Sequence, residues 1–152
     1  MERTDVKVPP LAWSRTFPGV AAQAREARRF LAAILDGQAG GAASGAASGA
    51  AGGDAAGGDA IACLAELASN SIQHSRSGEP GGVFTVRARM RGGWLRVEVE
   101  DLGGDWRARP SDGGRHGHGL RIVGELAADW GVTGTVAGRT AWFEIDLAAR
   151  RR

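Results

Sequence analysis

Three short groups of residues have the types and spacing to do chemistry. Glu66, Asn70 and His74 recur every four residues, so on a helix they line one side, drifting by about 40° per step. A solvated helix face would look the same. Asn70 argues otherwise, because asparagine is a mediocre helix former, and one placed mid-helix in line with a carboxylate suggests a set of oxygen ligands. The second group is Asp101-Leu102-Gly103-Gly104. A carboxylate at a strand end can accept a hydrogen bond from an exocyclic amine, and the glycine two residues on lets a flat ring approach the backbone; turn chemistry alone would also produce this run. The third is Gly117-His118-Gly119-Leu120. Glycines opening a helix expose unpaired N–H groups at its positive end, which suits phosphate oxygens. Arg115 and His116 just upstream either add positive charge there or are solvated loop residues.

These groups need elements to hold them. Trp13, Arg15 and Phe17 alternate with Ala12, Ser14 and Thr16 between prolines, which predicts a short edge strand. Val20, Ala24, Ala27, Leu31, Ile34 and Leu35 recur at helical spacing and predict a first helix ending near Asp36 and Gly37. Gly37 to Gly58 repeats Gly, Ala and Ser with no large side chain to bury, and reads as a flexible linker. Asp59 then suits an N-cap for a second helix with Ile61, Leu64, Ala65, Ala68 and Ile72 on one stripe, broken between Ser75 and Gly82.

From Val83 the period becomes two. Phe84, Val86, Ala88 and Met90, then Leu95, Val97 and Val99 after Gly92-Gly93, form a hairpin with one buried face. A polar loop from Asp101 to Gly117 leads to a third helix marked by Leu120, Val123, Leu126, Ala127 and Trp130. Two final strands, Val132 to Ala137 and Thr140 to Leu147, turn at Gly138-Arg139. The expected fold is α+β, a two-layer sandwich with helices on one face of a mixed, largely antiparallel sheet.

Composition bounds the rest. The 152 residues suit one domain. Nine of the 25 glycines fall between Gly37 and Gly58, so the glycine excess is partly local. No apolar run suits a membrane span or a signal peptide, and the lone Cys63 agrees with a reducing compartment, so a cytoplasmic protein without membrane attachment is expected. The pI near 9.4 comes largely from Arg150, Arg151 and Arg152, without which the formal charge falls from +2 to −1. Direct nucleic-acid binding is therefore not expected.

Taken in order, the three groups carry a family resemblance. Residues 66–75, Glu-Leu-Ala-Ser-Asn-Ser-Ile-Gln-His-Ser, resemble the N box of the GHKL ATPase superfamily, while the Asp101 and Gly117 groups resemble its G1 and G2 boxes. Trp13 to Gly19, Arg76-Ser77-Gly78 and Gly138 to Glu144 look like segments of its small stand-alone anti-sigma-factor serine/threonine kinases of actinobacterial type. The resemblance implies a single GHKL ATP-binding domain of Bergerat fold over residues 11–147, with an inserted linker at 37–58 and a basic tail at 148–152. It also implies residue roles. Asn70 would bind Mg²⁺ on the phosphates of ATP, and Glu66 would orient or deprotonate the nucleophile. Asp101 would accept the adenine amine, with Gly103 letting the ring in close, and Thr140 would support the adenine side through its hydroxyl. Gly104 to His116, including Arg115, would form the lid, with Gly117, His118, Gly119 and Leu120 at the phosphates. No histidine-phosphotransfer helix precedes the domain, so His74 is expected in the pocket wall and not as a phosphoacceptor.

The implied function is an anti-sigma factor and kinase that phosphorylates a STAS-type anti-anti-sigma protein with Mg-ATP and exchanges it for a sigma factor, with a homodimer as a further expectation. The alternatives are an ATP/ADP-sensing module that sequesters a partner without phosphotransfer, and a structural domain that binds no nucleotide.

Overall fold

A computed structural model of the chain describes residues 11–42, 50–104 and 116–149. The sheet has five strands, β1 (Leu11–Pro18), β2 (Val83–Arg91), β3 (Trp94–Asp101), β4 (Asp129–Thr135) and β5 (Gly138–Asp146). They lie in the order β1-β2-β3-β5-β4, and every neighbouring pair is antiparallel, in line with the largely antiparallel sheet expected. Three helices, α1 (Ala21–Ala42), α2 (Ala50–His74) and α3 (His116–Leu126), cover one face.

Alternation decides which side chains meet the helices. Phe84, Val86 and Ala88 of β2, Leu95, Val97 and Val99 of β3, and Phe143 and Ile145 of β5 all point under them and are buried. From above come Ala27, Leu31 and Ile34 of α1, Ala60, Cys63, Leu64, Leu67 and Ala68 of α2, and Val123 of α3. Phe17 of edge strand β1 stacks on Phe84 with centroids 5.4 Å apart and meets Phe30 edge-on at 5.8 Å, anchoring β1 and α1 to the same core. The hairpin between β2 and β3 turns on Gly92 and Gly93, at φ 56° and 87°, where side-chain-bearing residues would be strained. On the helix-free face Arg96 bonds Glu98 and Glu144 at 3.0 and 2.9 Å and lies 4.1 Å over the Trp142 ring. Burial of Arg96 opposes its charge, but the hydrogen bonds it donates to Glu144 and Glu98 outweigh it and raise its pKa.

Three boundaries differ from the expectation. Residues 37–42 continue α1, and 50–58 belong to α2, so helix enters the Gly/Ala/Ser stretch from both sides and Asp59 sits inside α2 instead of capping it. Alanine is the best helix former, and packing compensates for the glycines: Ala56 is in the core, and Gly57 lies where a Cβ would be 3.5 Å from Leu35 Cδ1. Trp130 is in β4 opposite Phe143 and not in the third helix. Its spacing suits either element, but Ala128 N–H already bonds Glu144 C=O across the sheet at 2.9 Å, which ends the helix before it. The last hairpin turns at residues 136–137, while Gly138 and Arg139 pair with Thr135 and Gly134. The Thr135 hydroxyl accepts Ala137 N–H at 3.2 Å and closes this two-residue turn. Among the described residues no helix is long and apolar enough to cross a membrane.

Candidate functional site

The last turns of α2 do two jobs. One side contributes Leu67 and Ala68 to the core, and the next places Leu67, Asn70 and Ser71 on a cavity of about 180 Å³. Leu120 of α3 closes it from the same layer. Its floor comes from the strand ends: Asp101 of β3, Val132 of β4, and Arg139 and Ala141 of β5. The walls are largely aliphatic, while a carboxylate, a guanidinium, a carboxamide and a hydroxyl converge on one space. Apolar walls with a few converging polar groups are the usual make-up of a small-molecule site.

Asp101 and Arg139 are paired residues on adjacent strands, so their side chains share a face. Both are nearly buried, at 11% and 14% side-chain exposure, with Arg139 Nη2 3.4 Å from Asp101 Oδ2. Asp101 Oδ1 accepts Gly103 N–H at 2.7 Å, which orients the carboxylate.

The turn after Asp101 is held from α2. Ser75 Oγ donates to Ser71 C=O at 2.6 Å and accepts Ser77 N–H at 3.0 Å, winding the chain into one 3-10 turn at Arg76–Gly78. Buried Ser77 accepts Leu102 N–H on its Oγ at 2.9 Å, and Arg76 N–H bonds Gly103 C=O at 2.8 Å. The Arg76 guanidinium donates to Leu102 C=O at 3.2 and 2.9 Å and to Val136 C=O at 3.0 Å. Gly103 must be glycine: φ is 72°, and a Cβ would overlap the Val136 carbonyl.

Of the expected site residues, Asn70, Asp101 and Leu120 line the cavity, and Gly103 and Gly104 form the turn beside it. Glu66 is half-buried one turn before Asn70 and is not among the lining residues. Its charge is felt by Cys63, whose thiol is pushed up to about 12, first by burial and then by Asp59 and Glu66. His74 closes α2 and is also outside the lining set. Gly117, His118 and Gly119 fall in the first turn of α3. Arg115 and most of the expected lid, residues 105–115, lie outside the described residues.

Thr140 corrects the expectation. The period of two turns Arg139 and Ala141 into the cavity and Thr140 to the helix-free face, between Glu100 and Thr133. Sequence reasoning missed Arg139 by treating it as a turn residue; shifting that turn to residues 136–137 would have placed it opposite Asp101. It also missed Leu67 and Ser71, which share a helix face at a spacing of four.

Among the described residues no cluster of three His, Cys, Asp or Glu side chains can hold a metal ion. From α2 the cavity receives only neutral side-chain oxygens, those of Asn70 and Ser71, which fits a cation held mainly by phosphate oxygens and water and not by a protein cage.

A three-helix layer on an antiparallel sheet, with a polar-floored cavity between α2, α3 and the strand ends, defines a small-ligand-binding α+β domain. Residues 17–145 match the family described as the histidine kinase-like ATPase domain, and the chain belongs to that family. A solved structure of the RsbU and RsbW domains of Rv1364c from Mycobacterium tuberculosis has the same fold, with a TM-score of 0.63 and 20% identity over 90% of this chain and 32% of that one. The chain thus spans about a third of that neighbour. No curated protein sequence matches the chain significantly.

Proposed function

We propose that the cavity binds the adenine end of Mg-ATP and that the chain is a serine/threonine protein kinase and anti-sigma factor acting on a STAS-type anti-anti-sigma protein. The carrying observation is that Asn70, Asp101 and Leu120, one from each motif of an ATPase family, line a single cavity. Asp101 accepts the adenine amine, the aliphatic walls from Leu67, Leu120, Val132 and Ala141 enclose the ring, and Asn70 holds the Mg²⁺ that screens the phosphates. Glu66, one turn along α2, takes the proton from the partner's serine hydroxyl. That oxygen bonds the γ-phosphorus as the bond to the β–γ bridging oxygen breaks, and ADP leaves. The RsbW domain named in the structural neighbour supports this class of activity.

Purified chain, Mg-ATP labelled at the γ-phosphate and a panel of STAS proteins test it. Label is expected on one partner with wild type and not with Glu66→Gln, and partner binding without transfer would overturn the kinase reading. The position of Glu66 outside the lining residues favours one second reading, an ATP/ADP-sensing module without phosphotransfer. In that case Glu66→Gln leaves partner exchange unchanged. Asn70→Ala is expected to weaken ATP binding by calorimetry, whereas a wild type that binds no ATP would leave only a structural domain.

A further inference from the structure

We propose that Arg139 is a base-reading residue: with Asp101 it forms an acceptor–donor pair that recognises the amino group and the adjacent ring nitrogen, N1, of a 6-aminopurine. The inference rests on the ATP reading above and adds to it a residue from the opposite strand.

Three observations carry it. Asp101 and Arg139 are register partners at the cavity floor, so their polar ends sit side by side and face the same space. The Gly103 N–H occupies Asp101 Oδ1, which directs Oδ2, the oxygen beside Arg139, to any ligand. Arg139 Nη2 lies 3.4 Å from Asp101 Oδ2, so a donor stands directly beside the acceptor that faces the cavity. A planar ring bounded by Leu67, Leu120 and Ala141 would meet an acceptor and a donor on adjacent atoms of one edge. Adenine presents the complement, an amine that donates and a ring nitrogen that accepts. Guanine presents the reverse order at the same two positions, so its oxygen would face the carboxylate.

Arg139 could instead serve only to neutralise Asp101, and the test must separate the two roles. Isothermal calorimetry would compare ATP with 1-deaza-ATP, in which N1 is replaced by C–H, on wild type, Arg139→Ala and Arg139→Lys. Wild type is expected to bind 1-deaza-ATP about tenfold more weakly than ATP, Arg139→Ala to bind the two nearly equally, and Arg139→Lys to regain part of the discrimination. A residue that merely balances charge would weaken both nucleotides by one factor and leave their ratio intact, which would overturn the proposal. If Arg139→Ala does not fold, wild type alone decides: equal affinity for ATP and 1-deaza-ATP, or for ATP and GTP, refutes base reading by this pair. In those outcomes ATP still binds and the functional reading survives. Absence of ATP binding to wild type would overturn both.

Discussion

Arg76 and Ser77 are adjacent, both hold the turn that follows Asp101, and they differ in exposure. Arg76 makes three side-chain hydrogen bonds, at 3.2, 2.9 and 3.0 Å, and Ser77 accepts one from Leu102 N–H at 2.9 Å. A count of bonds ranks Arg76 first. Environment reverses the order. Ser77 is fully buried, so Ser77→Ala leaves the Leu102 amide facing a methyl group, with no new partner at hand, at a cost of about 1–2 kcal/mol. The Arg76 side chain is exposed, and water can replace it at the Leu102 and Val136 carbonyls. The Val136 carbonyl also keeps Gly104 N–H at 2.9 Å. Arg76→Ala should therefore cost about 0.5–1 kcal/mol.

Urea unfolding followed by circular dichroism reads both values, with an unchanged slope showing that the unfolded state is not what moved. Both variants loosen the peptide next to Asp101, so each should also weaken ATP binding severalfold if that carboxylate contacts the base. A cost for Arg76→Ala exceeding that of Ser77→Ala by about 1 kcal/mol would refute the reasoning, because it would mean that the guanidinium bonds act as buried ones.

Gly103→Ala forces a side chain to φ 72° and against the Val136 carbonyl; it should cost about 2–4 kcal/mol and abolish nucleotide binding in calorimetry. Gly58 lies inside α2 with open space where a Cβ would go, so Gly58→Ala should raise stability by about 0.5–1 kcal/mol in urea unfolding, and no gain would argue against helix in that stretch. Cys63 is raised from 9.0 to about 12, so the folded state holds its proton where the unfolded state releases it. Its contribution is complete below about pH 9 and is lost as pH rises from there toward pH 12, at up to about 1.4 kcal/mol per pH unit, and Cys63→Ala should flatten that slope in alkaline unfolding curves.

The hairpin from Val83 to Glu100 was legible because one face is buried and the other carries Arg and Glu, so the period of two stands out in the residue types themselves. The N-terminal strand was legible from its bounding prolines. The helices were legible in their cores but not at their ends. Residues 37–42 and 50–58 have no large apolar side chain to mark a face, and small residues at a helix–helix contact look like linker until the opposing Leu35 is known. At the site, Asn70 stood out because asparagine is unusual in mid-helix, whereas Asp101 and Leu120 came from the order of the three motifs and its resemblance to a family. Arg139 was missed because a turn expected two residues too late took it out of β5, and the resemblance put Thr140 at the site although alternation with buried Phe143 and Ile145 turns Arg139 and Ala141, not Thr140, toward the helices.

The dual use of α2 has a consequence for how substitutions should be interpreted. Its Cys63, Leu64, Leu67 and Ala68 fill the core, its Leu67, Asn70 and Ser71 line the cavity, and the residues just past its end hold the Asp101 turn. A shift of α2 along its axis would move the Asn70 side chain relative to Leu120 on α3 and to Asp101, which β3 holds opposite Arg139, and would strain the bonds from Arg76 and Ser77 to the turn after Asp101. Loss of ligand binding in a variant such as Leu64→Ala would then report helix position and not a contact. Glu66, which is outside the lining residues and only half-buried, is the position on this helix where a loss of activity with unchanged stability would point to chemistry.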